Sequence, residues 1–126
     1  MTLSRRQARR QALFLLYQWD LSGTEIGSQF ADEIDPWARD LVEETAAHAT
    51  ELDARITGAS EGWTADRLGT VERSALRVAV HELQTGEVPA EVAINEAVAF
   101  TKRYASEDGA RLVNGILGKI QREEAA

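Results

Sequence analysis

This sequence predicts an all-α fold, a compact bundle of about six or seven helices, on three observations. Apolar residues recur at three- and four-residue spacing through most of the 126 residues, and no alternating strand pattern exceeds a few residues. Glycine and proline fall between those stretches at helical intervals. A capping residue precedes most of them. A chain of this size buries about two-thirds of its unfolded surface. The expectation is therefore a single domain, residues 1–126, with an N-terminal helical half of about 1–60 and a C-terminal half of about 61–126.

The first helix is predicted from Arg5 to Leu21, with Ser4 and Gln7 as a capping box and Gly23 after its end. At 100° per residue Ala8, Ala12, Leu15, Leu16 and Trp19 share one face, while Leu13, Phe14 and Tyr17 fall elsewhere. The C-terminal part of this helix should be buried all round, and the N-terminal part should project. Residues 22–34 read as a loop with a short helix around Glu25–Glu33. Asp35-Pro36 starts the next helix, Asp as N-cap and Pro in the first turn, and that helix is expected to run to about Thr57 before Gly58. Trp37, Leu41, Thr45, Ala49, Leu52 and Ile56 lie on one side of it.

Thr64 is the expected cap of a short turn, Ala65–Leu68, and Thr70 that of a helix to Thr85 ended by Gly86. Pro89 opens a helix to about Tyr104 with Ala93, Ala97, Phe100 and Tyr104 on its buried side. Ser106 caps the last, to about Arg122, where Leu112, Val113, Ile116, Leu117 and Ile120 occupy one arc. Gly115 and Gly118 inside that helix cost about 1 kcal/mol each relative to alanine. Such a penalty predicts the close approach of another backbone.

The composition narrows the function. With no cysteine, disulfides and thiolate metal sites are excluded. No apolar run approaches a membrane span, and the basic N-terminus lacks a signal-cleavage pattern, so a cytoplasmic protein is expected. His48 and His81 lie on different predicted helices without a nucleophile-and-base neighbourhood, which points to structural roles. Gly115-Ile116-Leu117-Gly118-Lys119 is followed by Ile120 where a phosphate loop needs Ser or Thr. Neither an enzyme, a cofactor nor a metal is expected.

The net charge of −7 is polarised: residues 1–19 carry four arginines and no acid, whereas residues 20–66 carry twelve acids and two arginines. Arg5, Arg6, Arg9 and Arg10 form two i,i+4 pairs of like charge at a helix N-terminus, where the macrodipole is already positive. Four unfavourable placements in six residues suggest a compensating anion, and arginine is suited to phosphate and to stacking on bases. Tyr17, two turns on, either stacks an unpaired base or closes the edge of the core. Glu72 falls among Val71, Ala75, Ala79 and Leu83, with Glu82 near the edge of the same arc. A carboxylate placed so pairs internally, Arg67 and Arg77 being the candidates for Glu72, or meets a partner.

Several segments together resemble one family. Arg5-Arg6-Gln7-Ala8-Arg9, Ala12-Leu13 and Leu16-Tyr17-Gln18-Trp19-Asp20 look like the opening of NusB. Val71-Glu72-Arg73-Ser74-Ala75-Leu76-Arg77, His81-Glu82-Leu83, and Pro89 with Val92-Ala93-Ile94-Asn95-Glu96-Ala97-Val98 are similar to its middle helices. Glu107-Asp108-Gly109 and Val113-Asn114-Gly115-Ile116-Leu117 resemble its last. The likeness spans nearly the whole chain in order. It implies the NusB-like all-α fold and a transcription antitermination factor that binds boxA-type single-stranded RNA. It also implies pairing with the ribosomal protein NusE and entry into the elongating RNA polymerase complex, notably on ribosomal RNA operons.

By position the resemblance makes Arg5, Arg6, Arg9 and Arg10 the RNA-binding arm, adds Asp108 and Arg111 near the RNA, and puts Tyr17 and Glu72 on the partner-facing surface. Leu112 stands where the family often has Phe, and the stretch from Leu21 to Asp35 matches nothing strongly. Two alternatives stay open: a NusB-like domain of an RNA cytosine methyltransferase, for which the chain has no nucleotide-binding glycine loop, and a helical adaptor that binds no RNA. A NusE-binding surface can also pair with a second copy, giving a homodimer.

Overall fold

A computed structural model describes residues 3–23 and 33–125. Among the described residues its helices are α1 (Arg5–Ser22), α2 (Pro36–Ala47), α3 (Ala49–Ala59), α4 (Thr70–Thr85), α5 (Ala90–Tyr104) and α6 (Glu107–Ala125), with a 3-10 turn, Ala65–Arg67, before α4. No strand occurs among the described residues. The short helix expected around Glu25–Glu33 lies outside them, except for Glu33 in a turn.

The helix boundaries follow local chemistry. Ser4 and Gln7 close a reciprocal capping box on α1, and Asp35 Oδ1 accepts from the Trp37 and Ala38 amides at 2.9 and 3.2 Å. Gly86 ends α4 at φ 71°, a left-handed cap that only glycine enters freely, and its N–H returns to the Glu82 carbonyl. Ser106 Oγ accepts from the Gly109 amide at 2.9 Å and so caps α6.

Three expectations need correction. The single helix expected from Pro36 to Thr57 is broken at His48. No glycine or proline marks the break. Burial direction decides it, because α2 packs on α1 and α4 while α3 packs on α4 and α6. The cap of α4 is Gly69, with Thr70 already inside the helix. Gly115 faces open space, and a Cβ on Gly118 would touch only the far end of Arg122, so no backbone approaches either. Side chains rather than backbone crowd Gly109, where a Cβ would lie 3.1–3.3 Å from Ser106, Thr101 and Glu72.

The core draws on all six described helices: Leu16 of α1, Val42 of α2, Leu52 and Ile56 of α3, Leu76 and Val80 of α4, and Val113, Leu117 and Ile120 of α6 are fully buried, and Ala97 and Phe100 of α5 are nearly so. Leu13 joins them, while Leu15 and Trp19 are only half-buried, so the inward face of α1 is rotated from the sequence reading. Tyr104 and Leu112, both placed on buried arcs by periodicity, are exposed.

Among the described helices α4 packs against each of the other five. Nearly every side of it is therefore inward, including the sides that carry charge. A charge buried there must then find a partner, since an unpaired buried charge is very costly. Arg73 donates to Asp20 of α1 at 2.6 Å, and Arg77 clamps Asp53 of α3 through two bonds of 2.7 Å while reaching Asp20 at 3.2 Å. Burial works against the Arg77 charge, but Asp53 and Asp20 outweigh it and hold the guanidinium above its ordinary value. His81 Nε2 sits 3.0 Å from a carboxylate oxygen of Glu44 on α2. Asp20→Asn is expected to cost about 1–3 kcal/mol, because Arg73 and Arg77 both then lose a charged acceptor inside the bundle. Thermal or urea unfolding measures it, and a change below about 0.5 kcal/mol, the scatter of ordinary surface substitutions, would assign Asp20 no structural role.

Candidate nucleic-acid interface

The arginine arm does not project. Arg9, 3% exposed, lies against Glu82, also 3% exposed, and its Nε and Nη2 hold both carboxylate oxygens at 2.9–3.2 Å. The Arg9 guanidinium also stands 5.2 Å from the Trp37 ring centre, and that of Arg5 lies over the same ring at 4.4 Å. Arg6 Nε donates to Glu96 Oε1 of α5 at 3.0 Å. Glu82, Glu96 and Trp37 come from far along the chain, which is why the local pattern showed four bare charges. Two of the four have internal counterions. Arg5 and Arg10 have none among the described residues.

The four arginines line two grooves, which share Arg6 and Arg9. One, of about 480 Å³, lies between α1 and the end of α5; Arg6, Arg9 and Arg10 line it with Phe100, Lys102 and Tyr104. Arg103 also lines it, so five cations face a single carboxylate, Glu96. Lys102 and Arg103 occupy the last turn of α5, where the helix dipole favours cations. At the rim, Phe14 and Tyr104 meet edge to face at 4.8 Å, and Phe14 meets Phe100 at 5.3 Å. Phe14 and Tyr104 keep part of their rings in solvent. The other groove, of about 520 Å³, is formed by Arg5 and Trp37 against Val88, Pro89 and Val92.

Lys102 connects this groove to another of about 310 Å³, which it lines with Arg111 and with Glu107, the acid it pairs with at 3.8 Å. Arg111 and Asp108 are exposed and paired with each other. The structure thus brings Arg6, Arg9, Arg10 and Arg111 onto one continuous surface, with Asp108 beside it and Arg5 around the arm. Sequence reasoning missed Lys102, Arg103 and Tyr104. The signal was present, since Lys102-Arg103 is the only adjacent pair of bases beyond the arm and an aromatic residue follows it.

Tyr17 and Glu72 line neither arm groove. Tyr17 is half-buried on α1. Glu72, also half-buried, has no cation partner among the described residues, because Arg77 is engaged by Asp53 and Asp20. The internal pair with Arg67 or Arg77 anticipated for Glu72 does not occur among the described residues, and the buried pair on α4 is that of Glu82 with Arg9. The Glu72 carboxyl lies against Gly109 in the first turn of α6, where a helix N-terminus tolerates negative charge.

This geometry is suited to a polyanion. It offers cations beside exposed aromatic edges, and no group of three metal-ligating side chains occurs among the described residues. No described helix is long and apolar enough to cross a membrane. The family model described as "NusB family" matches residues 6–122. The transcription antitermination protein NusB of an Anaeromyxobacter species is 40% identical, over 95% of this chain and 91% of that protein. Its counterpart from an Exiguobacterium species is 39% identical, over 97% of this chain and 100% of that protein. Among solved structures, T. maritima NusB superposes with a TM-score of 0.86 at 30% identity, covering 98% of this chain and 94% of that one. A crystal structure of antitermination factors NusB and NusE in complex with dsRNA gives a TM-score of 0.84 at 32% identity, over 94% of this chain and 96% of that one. The chain belongs to the NusB family, a family of transcription antitermination proteins rather than of enzymes.

Proposed function

We propose that this protein binds boxA-type single-stranded RNA through the arm and the end of α5, pairs with NusE, and enters the elongating RNA polymerase complex in the cytoplasm, notably on ribosomal RNA operons. The observation that carries the reading is the basic groove, where Arg6, Arg10, Lys102 and Arg103 surround exposed aromatic edges. Phosphates go to the cations, and unstacked bases pack on the exposed parts of the aromatic rings, which a duplex with its bases stacked cannot use. The related NusB and NusE complex was solved with dsRNA, so a duplex of matching sequence is the natural competitor.

Arg9 has a different role in this reading. Its charge is already answered by Glu82, so it fixes the arm, and phosphate contact falls to Arg5, Arg6 and Arg10, with Arg111 and Asp108 at the far end. Titrating labelled boxA-type RNA with and without NusE, across a salt series, tests the proposal. Binding that is tighter with NusE and weakens steeply with salt supports it. No RNA binding under either condition leaves the adaptor reading.

Glu72 and Tyr17 belong to the NusE-facing surface in this proposal, and a second copy of the chain would compete for it. Glu72→Lys is expected to lower NusE affinity about tenfold or more, the loss typical of a broken charged contact at an interface. Calorimetric titration with NusE measures it, alongside helical content by circular dichroism. Unchanged affinity together with a collapse in melting temperature would make Glu72 a purely internal residue.

A further inference from the structure

Arg6 and Glu96 are unequal partners. The Arg6 side chain is 72% exposed and long, whereas that of Glu96 is 18% exposed and held on α5 one turn before Phe100. Their bond uses one guanidinium N–H and one carboxylate oxygen. The other guanidinium nitrogens are thus available for the paired contact that arginine makes with phosphate. Glu96 is the only acid among the residues lining the basic groove, and it lines the groove on the far side of Arg6 as well. An ion pair with one partner so exposed is weak and exchanges readily.

We propose that Glu96 acts as an internal substitute for phosphate. It occupies Arg6 in the free protein, must yield that arginine to RNA, and so sets the affinity for polyanions below what the arm alone would give. The inference rests on the RNA-binding reading above and adds a regulator to that site. It also accounts for an acid in a groove otherwise lined with cations, since a fully basic groove would hold any nucleic acid.

The test measures binding of a short labelled boxA-type RNA, and of a uridine-only RNA of equal length, to full-length protein. Wild type is compared with Glu96→Gln, Arg6→Ala and the double variant. Glu96→Gln is expected to tighten binding of both RNAs by about twofold to fivefold, the fold-change matching a partly exposed ion pair. In the Arg6→Ala background the same change should have little effect. Glu96→Asp, with a shorter reach to Arg6, should move affinity in the same direction. Two results overturn the proposal. Unchanged or weaker binding by Glu96→Gln would make Glu96 a positioning residue for Arg6. An equal gain without Arg6 would reduce it to a general charge effect, which Glu87→Gln, removing an acid from the second groove, gauges separately. If wild type binds neither RNA, the RNA-binding reading itself fails, an outcome distinct from either of these.

Discussion

Arg9→Ala and Glu82→Ala are each expected to destabilise the fold by about 3–5 kcal/mol, because each leaves an unpartnered charge inside the bundle. For a chain of this length that corresponds to a fall in melting temperature on the order of 15 °C. The reason lies in the geometry: both side chains are 3% exposed, and two guanidinium nitrogens hold both carboxylate oxygens. The double change to two apolar residues of similar shape should recover much of the loss, since it removes both charges together. Melting curves on the two single variants and the double decide the matter. Two mild single variants would mean that water reaches the pair. RNA affinity should fall in the single variants as a result of the loosened arm, so it must be measured well below their melting temperatures.

Arg6 and Arg10 should behave in the opposite way. Replacing both with alanine is expected to flatten the slope of log K against log salt for single-stranded RNA by about 1.4, taking roughly 0.7 for each lost phosphate contact. Stability should change by less than about 1 kcal/mol, for Arg6 makes only an exposed pair and Arg10 makes none among the described residues. One double variant therefore reads out both quantities. An unchanged salt slope would sink the phosphate-contact assignment even if affinity fell. Compared with Arg9→Ala, the pair separates arginines that bind from the arginine that builds, although all four lie within six residues.

Much of the fold was legible because it depends on near neighbours. The capping box at Ser4, the Asp35-Pro36 start, the Gly86 stop and the Ser106 cap are short-range features, and each appears in the structure where the residues put it. The break at His48 was not legible. Its cause is the need of α2 and α3 to pack on different neighbours. The candidate site divides in the same way. The arm could be read from charge spacing, but its burial could not, since Glu82 lies 73 residues from Arg9 and Glu96 lies 90 from Arg6. Periodicity placed Tyr104 inward because it treats each helix as equally covered along its length, whereas the end of α5 runs past its cover into solvent. Glu72 was recognised as out of place from its own helix alone. That it rests on the start of α6 depends on Gly109, whose tight surroundings nothing in the local sequence reveals.

The Trp37 ring beneath Arg5 and Arg9, together with the buried clamp on Glu82, has a consequence for the arm as a thermodynamic object. A basic tail that folds only when it meets a polyanion loses its conformational entropy at that moment, and its affinity is reduced accordingly. Here α1 is fixed from its first turn by groups of α2, α4 and α5, so that entropy is already lost when the bundle forms. What remains to be ordered on contact is the outer reach of three side chains, Arg5, Arg6 and Arg10, over a backbone that is already in place.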